Sequence, residues 1–223
     1  MQTYAQYCTI SRTLDIVGDR WTLLVVRELI IGSTRFNEIA RGLPGLSRGL
    51  LTRRLRQLEA AGVVTRVDGA YALTEAGEQL TTLVMELAAW GSAHAFGPPE
   101  PEELDPDLLM WWMHGGIDTG EIGRRVVIQI HMTDIRRHYW LVLEQEDASV
   151  CHSDPGFEVD VVLRGAVAAI YRMWLGDTDL REAVRAGDLE VLGSPQMVRA
   201  LPGWLRFSPV APIVREARGV AVG

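Results

Sequence analysis

Arg41, Arg48, Arg53, Arg54 and Arg56 lie between Glu38 and Glu59 with no acid among them, in a chain of formal net charge −7. A guanidinium is a planar fork of donors that meets phosphates and guanine edges two bonds at a time, so this stretch is equipped to read a nucleic acid. The chain contains no Lys, and every fixed side-chain cation is therefore an Arg. A compositional bias of the source accounts equally well for that absence. Residues 1–96 carry a net charge of +1 and residues 97–223 a net −8, so only the first part is suited to approach a polyanion.

Other reactive side chains form no recognisable constellation. His94, His114, His131, His138 and His152 lack metal-ligand spacing, and Cys8 and Cys151 are too far apart for a CxxC-type site. "CHSDP" at Cys151–Pro155 sets a thiol beside an imidazole, yet adjacency on a strand leading into a turn does not make a nucleophile–base pair. With no G-x-G-x-x-G or P-loop pattern either, an enzyme is not expected, and neither a metal nor a cofactor is called for. No apolar run reaches the roughly 20 residues of a membrane helix, and "MQTYAQYCTISR" has no secretory signal pattern. The expectation is a cytoplasmic protein with free thiols and no membrane partner.

The elements that must carry the arginines follow from periodicity. Cys8–Val17 and Trp21–Ile31 read as two buried helices, and Phe36, Ile39, Ala40 and Leu43 as a short third helix broken at Pro44. Ser47 is placed to cap a fourth helix ending before Gly62. On it Leu50, Leu51, Leu55 and Leu58 form an apolar stripe, while Gly49, Thr52, Arg53 and Arg56 point away, Arg48 at the edge and Arg54 beside the leucines. "VVTRVDGAYALT" predicts a hairpin turning at Asp68-Gly69, and Thr74 a cap for one long helix through His94.

Three helices, a hairpin and a closing helix make a winged helix-turn-helix. With the fourth helix in a DNA major groove, Ser47, Arg48, Gly49, Thr52, Arg53 and Arg56 would meet phosphates or bases, and Arg66 on the wing an adjacent groove or backbone. A solvated basic helix face is the blander explanation. Arg54 is expected to form an ion pair within the protein.

The blocks "GDRWTLLVVREL", "RFNEIARGLPGLS" and "LTRRLRQLEAAGVV", with Cys8 opening the first helix, resemble the HxlR-type winged-helix transcriptional regulators, relatives of the MarR group. The resemblance covers about the first 95 residues. It implies a homodimer built on the terminal helices of this domain, each fourth helix reading one half-site of a double-stranded operator. It also makes Cys8 a candidate redox sensor, the alternative being a small residue buried in a helical core.

"FGPPEPEELDPD", Phe96–Asp107, holds four prolines and five acids, the composition of a stiff linker. The expected division is a winged-helix domain at 1–96, a linker at 97–107 and a second domain at 108–223. Beyond the linker, strands at Val126–Met132, His138–Gln145, Glu158–Arg164 and Asp188–Gly193 alternate with helices at Asp107–His114, Gly165–Leu175, Asp179–Ala186 and Pro195–Trp204. The fold class is α+β: a mostly α winged-helix domain with a β-hairpin wing, joined to an α+β domain with helices over one sheet face.

Glu158–Leu205, with Gly187, Leu189 and Gly193 as late marks, is similar to the type-two sterol carrier protein family. That resemblance implies an apolar tunnel for a hydrophobic small molecule. Five of the seven tryptophans lie in this half. Trp111, Trp112, Met132, Trp140, Tyr171 and Trp174 are the candidate liners, although each such residue type is also ordinary core.

The expectation is a dimeric regulator, a repressor by default, whose operator affinity is shifted by an apolar ligand through a coupling of about 1–3 kcal/mol. Modification of Cys8 would be a second switch. The alternatives are a hydrophobic-ligand carrier using the winged helix for dimerisation or protein contact, and an enzyme built around Cys151 and His152.

Overall fold

The first helix, α1 (Thr9–Val17), exposes Ile10, Leu14 and Ile16 and buries only Ser11 and Val17. It is thus not the buried helix its composition predicts, because its apolar residues face away from the core of its own chain. The computed structural model describes residues 4–115, 122–145, 147–205 and 207–219. They divide into two compact units, one through Leu87 and one from Ala88.

In the first unit, α2 (Thr22–Ile30) is the central helix, with Val25 and Val26 fully buried. Trp21 starts it in a left-handed conformation, φ 79°, rare for a bulky residue. Glu28 is fully buried, its carboxylate 2.7 Å from Arg27 and 3.3 Å from the Ser33 hydroxyl that donates to it. Gly42 leaves the room: a Cβ there would stand 1.9 Å from the Glu28 carboxylate.

The short α3 (Phe36–Arg41) leads to α4 (Arg48–Ala60), whose Leu51, Leu55 and Leu58 are buried against Ile39, Leu43 and the α2 valines. Ser47 caps α4 by accepting from the Leu50 amide at 3.3 Å. Strands β1 (Val64–Val67) and β2 (Ala70–Leu73) pair antiparallel, turning at Asp68 and Gly69 with φ 50° and 76°, the two left-handed positions of a type I′ hairpin.

The predicted long closing helix is interrupted. Thr74 caps a single turn, α5 (Glu75–Glu78), and α6 (Leu80–His94) begins after Gln79. The Thr74 hydroxyl donates to the Gly62 carbonyl at 2.6 Å, and Gly77 sits so close to Val63 that a Cβ would lie 2.2 Å from its carbonyl oxygen. The turn is thereby tethered to the end of α4 before α6 starts. Leu80 and Val84 of α6 pack on the first core, but none of its residues is fully buried, and Leu83, Leu87 and Trp90 are exposed.

The second unit is a five-stranded sheet of order β5-β4-β3-β6-β7, formed by β3 (Val126–Met132), β4 (Arg137–Glu144), β5 (Asp147–Cys151), β6 (Val161–Gly165) and β7 (Leu189–Gly193). Only β3 and β6 run parallel. Its helices are α7 (Pro106–His114), α8 (Val167–Leu175), α9 (Leu180–Ala186), α10 (Pro195–Trp204) and α11 (Ala211–Arg218). Alternation sends Ile128, Ile130, Met132, Leu141, Leu143 and Leu163 into one core with Leu109, Met110, Met113, Ile170 and Trp174. The fold is α+β, a winged helix-turn-helix followed by a five-stranded sheet that packs helices against the face carrying this core.

The stretch 97–107, read from its composition as a solvated linker, includes a 3-10 turn at Pro101–Glu103. From Leu104 the chain is bound to the second unit: Leu104 packs on its core, the Asp105 carbonyl accepts from Tyr171 at 2.7 Å, and Asp107 accepts from Tyr139 at 2.7 Å. The acids are hydrogen-bond acceptors here, which composition alone does not distinguish from solvated charge.

Candidate nucleic-acid interface and ligand-binding unit

Arg48, Arg53, Arg54 and Arg56 of α4 differ in their surroundings. Arg53 and Arg56 are exposed on α4, Gly49 is exposed with open space where a Cβ would stand, and Thr52 is half-buried, its hydroxyl donating to the Arg48 carbonyl at 2.9 Å. Arg48 is exposed but engaged: it donates to the Asn37 side-chain oxygen at 2.7 Å and lies 4.7 Å from the Phe36 ring centroid. It therefore clamps α3 onto α4. Arg54 is buried, ion-paired with Asp19, and donates to the Arg20 carbonyl at 3.2 Å and Gln57 at 2.8 Å. It is the internal pair expected from its place beside the leucines. Arg53 also lines an open cleft of about 430 Å³ with Tyr4, Asp15, Asp19, Arg54 and Gln57.

Arg66 stays on the wing, 5.2 Å from the Tyr71 ring centroid. The wing is held by contacts that sequence reasoning missed. Arg35 donates to the Asp68 carbonyl at 3.0 Å, and the Tyr71 amide to the Thr34 carbonyl at 2.7 Å. Glu38, in turn, accepts from the Thr34 and Arg35 amides at 2.8 Å each. Burial pushes the Glu38 carboxyl up, but those two N–H groups outweigh it and hold it below its ordinary value. An acid at the third position of α3, Glu38, able to reach back to the amides before the helix, was the available signal for this anchor.

Cys8 is exposed, not buried in a helical core, and stands at the cap position of α1. Hydrogen bonding from the Ser11 backbone, then from Ile10, lowers its thiol pKa.

In the second unit the predicted liners separate. Met132, Tyr171 and Trp174 are in the core, and Trp112 stacks on Trp174 with centroids 5.3 Å apart and planes 6° from parallel. Trp111 is off that core, stacked instead on His114 at 5.8 Å. Trp140 faces the opposite side of the sheet, because it pairs in register with Gln129, out of phase with Ile130 and Met132. On that side it neighbours His138, which stacks on His131 at 4.2 Å. Burial, then His138 and Arg164, lowers the His131 pKa.

Strand alternation also parts Cys151 from His152. Cys151 lies on the Trp140 side as its register partner, whereas His152 packs edge-on to Tyr139 at 5.4 Å and reaches Asp107 at 3.6 Å. Among the described residues no group of three or more His, Cys, Asp or Glu could hold a metal ion, and no helix is long and apolar enough to cross a membrane.

Residues 16–97 match the HxlR-like helix-turn-helix family, and residues 123–206 the SCP-2 sterol transfer family. The HTH-type transcriptional regulator Rv3095 of Mycobacterium tuberculosis is 40% identical over 118 residues, covering 45% of this chain and 74% of the relative. The chain belongs to the HxlR-like family of transcriptional regulators. A second relative of this family, the HTH-type regulator YvaP of Bacillus subtilis, is 36% identical over 106 residues, 44% of this chain and 90% of its own. Among solved structures, quinone-bound YodB from B. subtilis is 34% identical with a TM-score of 0.35, covering 37% of this chain and 93% of that one. The HxlR-like unit thus carries the arginine helix and the wing, and the SCP-2-like unit the stacked tryptophans.

Proposed function

We propose that the chain is a dimeric, operator-binding repressor whose DNA affinity is set by an apolar small molecule in the SCP-2-like unit. The observation that carries the DNA part is the partition of α4. Leucines and Arg54 hold one side, Arg48 fastens α3, and Arg53 and Arg56 are exposed beside an open Gly49. A major groove is the surface that such a helix fits, with the wing and Arg66 on the flanking backbone.

The partner in the dimer is a second copy meeting the exposed apolar residues of α1 and α6, Ile10, Leu14, Leu83, Leu87 and Trp90. The ligand class rests on the SCP-2 likeness and on the Trp112–Trp174 stack among methionines. Cys8 supplies a second input, since its thiol is exposed and its thiolate favoured at the start of α1. The reading assigns the chain no catalysis and places it in the cytoplasm.

Fluorescence polarisation with DNA from upstream of the protein's own gene and with random DNA, over a salt series, tests the first part. Specific binding that Arg53→Ala/Arg56→Ala abolishes supports it. Equal weak binding to both DNAs, together with no site recovered from genomic DNA, overturns it in favour of a hydrophobic-ligand carrier.

A further inference from the structure

The chain leaving α6 is held by the last helix of the second unit. Arg218, in the final turn of α11, donates from Nη2 to the Phe96 carbonyl at 2.9 Å, and its guanidinium lies 5.6 Å from the Phe96 ring centroid. Its Nε stands 3.4 Å from Asp177 Oδ1, while Asp177 Oδ2 accepts from Arg172 of α8 at 2.7 Å. The Asp177 side chain is only 15% exposed. Its amide also donates to the Arg172 carbonyl at 2.9 Å, so the carboxylate is fixed to the end of α8.

Two further contacts join α8 to the α11 region. The Ser208 amide donates to the Trp174 carbonyl at 2.9 Å, and Gly176 abuts Ala211 so closely that a Cβ would stand 2.7 Å from its carbonyl oxygen. The residues preceding this joint on α8 are Ile170, Tyr171, Met173 and Trp174, all core. Displacing α8 therefore moves Asp177 and, through Arg218, pulls on Phe96. Phe96 lies two residues past α6, the helix whose other end, at Leu80 and Val84, packs on the HxlR-like core.

We infer that the Asp177–Arg218–Phe96 clasp is the element that transmits the packing state of α8 to the C-terminal end of α6. It rests on the reading that a ligand in this unit controls DNA binding, and it names the route. Charge-assisted bonds to a half-buried carboxylate and to a carbonyl are strong enough to hold such a joint, and a cation at a helix C-terminus is favoured by the helix dipole. A coupling route needs an element that both sites bias, and α6 is shared by the two units.

Amide hydrogen exchange on the full chain tests the clasp without DNA or ligand. Arg218→Gln is expected to speed exchange of the Ala88–His94 amides about tenfold, the loss of one charged hydrogen bond, with the amides of Val25 and Ile130 unchanged. Ile170→Val, a mild loosening of α8, should speed the same α6 amides in the wild-type background and not in Arg218→Gln. Equal effects of Ile170→Val in both backgrounds, or no effect of Arg218→Gln on α6, overturn the clasp.

Should Arg218→Gln fold poorly, Asp177→Asn gives the same test. It leaves the Phe96 bond intact, and abolition of the Ile170→Val effect is the supporting result. A clasp that passes while oleic acid and other apolar probes leave wild-type operator affinity unchanged retires ligand control and keeps the clasp. An operator response to oleic acid that persists in Arg218→Gln retires the clasp alone.

Discussion

On α4 the residues that would touch DNA and the residues that hold the fold occupy opposite sides, Arg53 and Arg56 outward and Leu51, Leu55 and Leu58 inward. In the second unit Met132, Tyr171 and Trp174 are candidate ligand contacts and are also the core. In the first unit, binding chemistry and stability can therefore be altered separately. In the second they cannot, and a ligand that reaches these side chains must rearrange packing that the fold itself uses. Under the proposed ligand control, whatever moves this core also moves what the core holds.

Stability measurements give the largest contrast. Met132→Ala removes a fully buried side chain and is expected to destabilise the second unit by about 2–5 kcal/mol, read from urea unfolding. Arg53→Ala, on an exposed helix face, should change stability by less than about 0.5 kcal/mol. A strongly destabilising Arg53→Ala would break the comparison, since the outward face of α4 would then be part of the fold.

The next contrast lies within α4. Arg53→Ala should weaken operator binding about tenfold or more and reduce the slope of log K against log salt by about 0.9, as loss of one phosphate contact requires. Arg48→Ala should lower discrimination between operator and random DNA and leave that slope unchanged, because Arg48 is spent on Asn37 and Phe36. A slope change of similar size for both would make Arg48 a DNA contact that lets go of Asn37 on binding.

What could be read from the chain follows the same division. The winged helix was legible because each of its signals is local: Ser47 before an apolar stripe, Asp68-Gly69 between two short runs, Arg54 in phase with the leucines. The roles of Arg48 and Arg35 were not, since Asn37 and the Asp68 carbonyl lie 11 and 33 residues away. The burial of α1 was misjudged because apolar residues on a helix do not say which surface covers them.

In the second unit the strand positions were readable, yet the side of the sheet for Trp140 was fixed only by its register with Gln129. The last helix, α11, escaped notice although Pro212 near its start and Gly219 past its end mark it.

A smaller effect sharpens the comparison inside the second unit. On adding oleic acid, the tryptophan emission change should be lost in Trp112→Phe and kept in Trp140→Phe, because Trp112 stacks on Trp174 on the helix side of the sheet. The reverse pattern would place the ligand on the side of His131 and His138. The stacked tryptophans would then be core alone, and the second unit would separate binding from packing as α4 does.

The smallest effect concerns the acids first read as linker. Asp107 accepts from Tyr139 at 2.7 Å and Arg137 at 3.2 Å. Burial pushes its carboxyl up, but the Tyr139 bond, then Arg137 and His152, bring it below its ordinary value. The Tyr139 hydroxyl is raised in turn, by burial and then by Asp107.

A carboxylate depressed in the folded state stabilises that state above the unfolded pKa, about 3.9 for Asp. That contribution is lost as pH falls through the lower, folded value. Asp107 is about half exposed, so solvent screening keeps the effect near or below 1 kcal/mol. Asp107→Asn should therefore lower the unfolding midpoint slightly at pH 7 and converge with wild type as pH falls through the depressed folded value. A difference that stays constant across this range would mean that Asp107 acts through shape and not charge, and the segment from Leu104 onward would be held to the second unit by Leu104 and the Asp105 carbonyl.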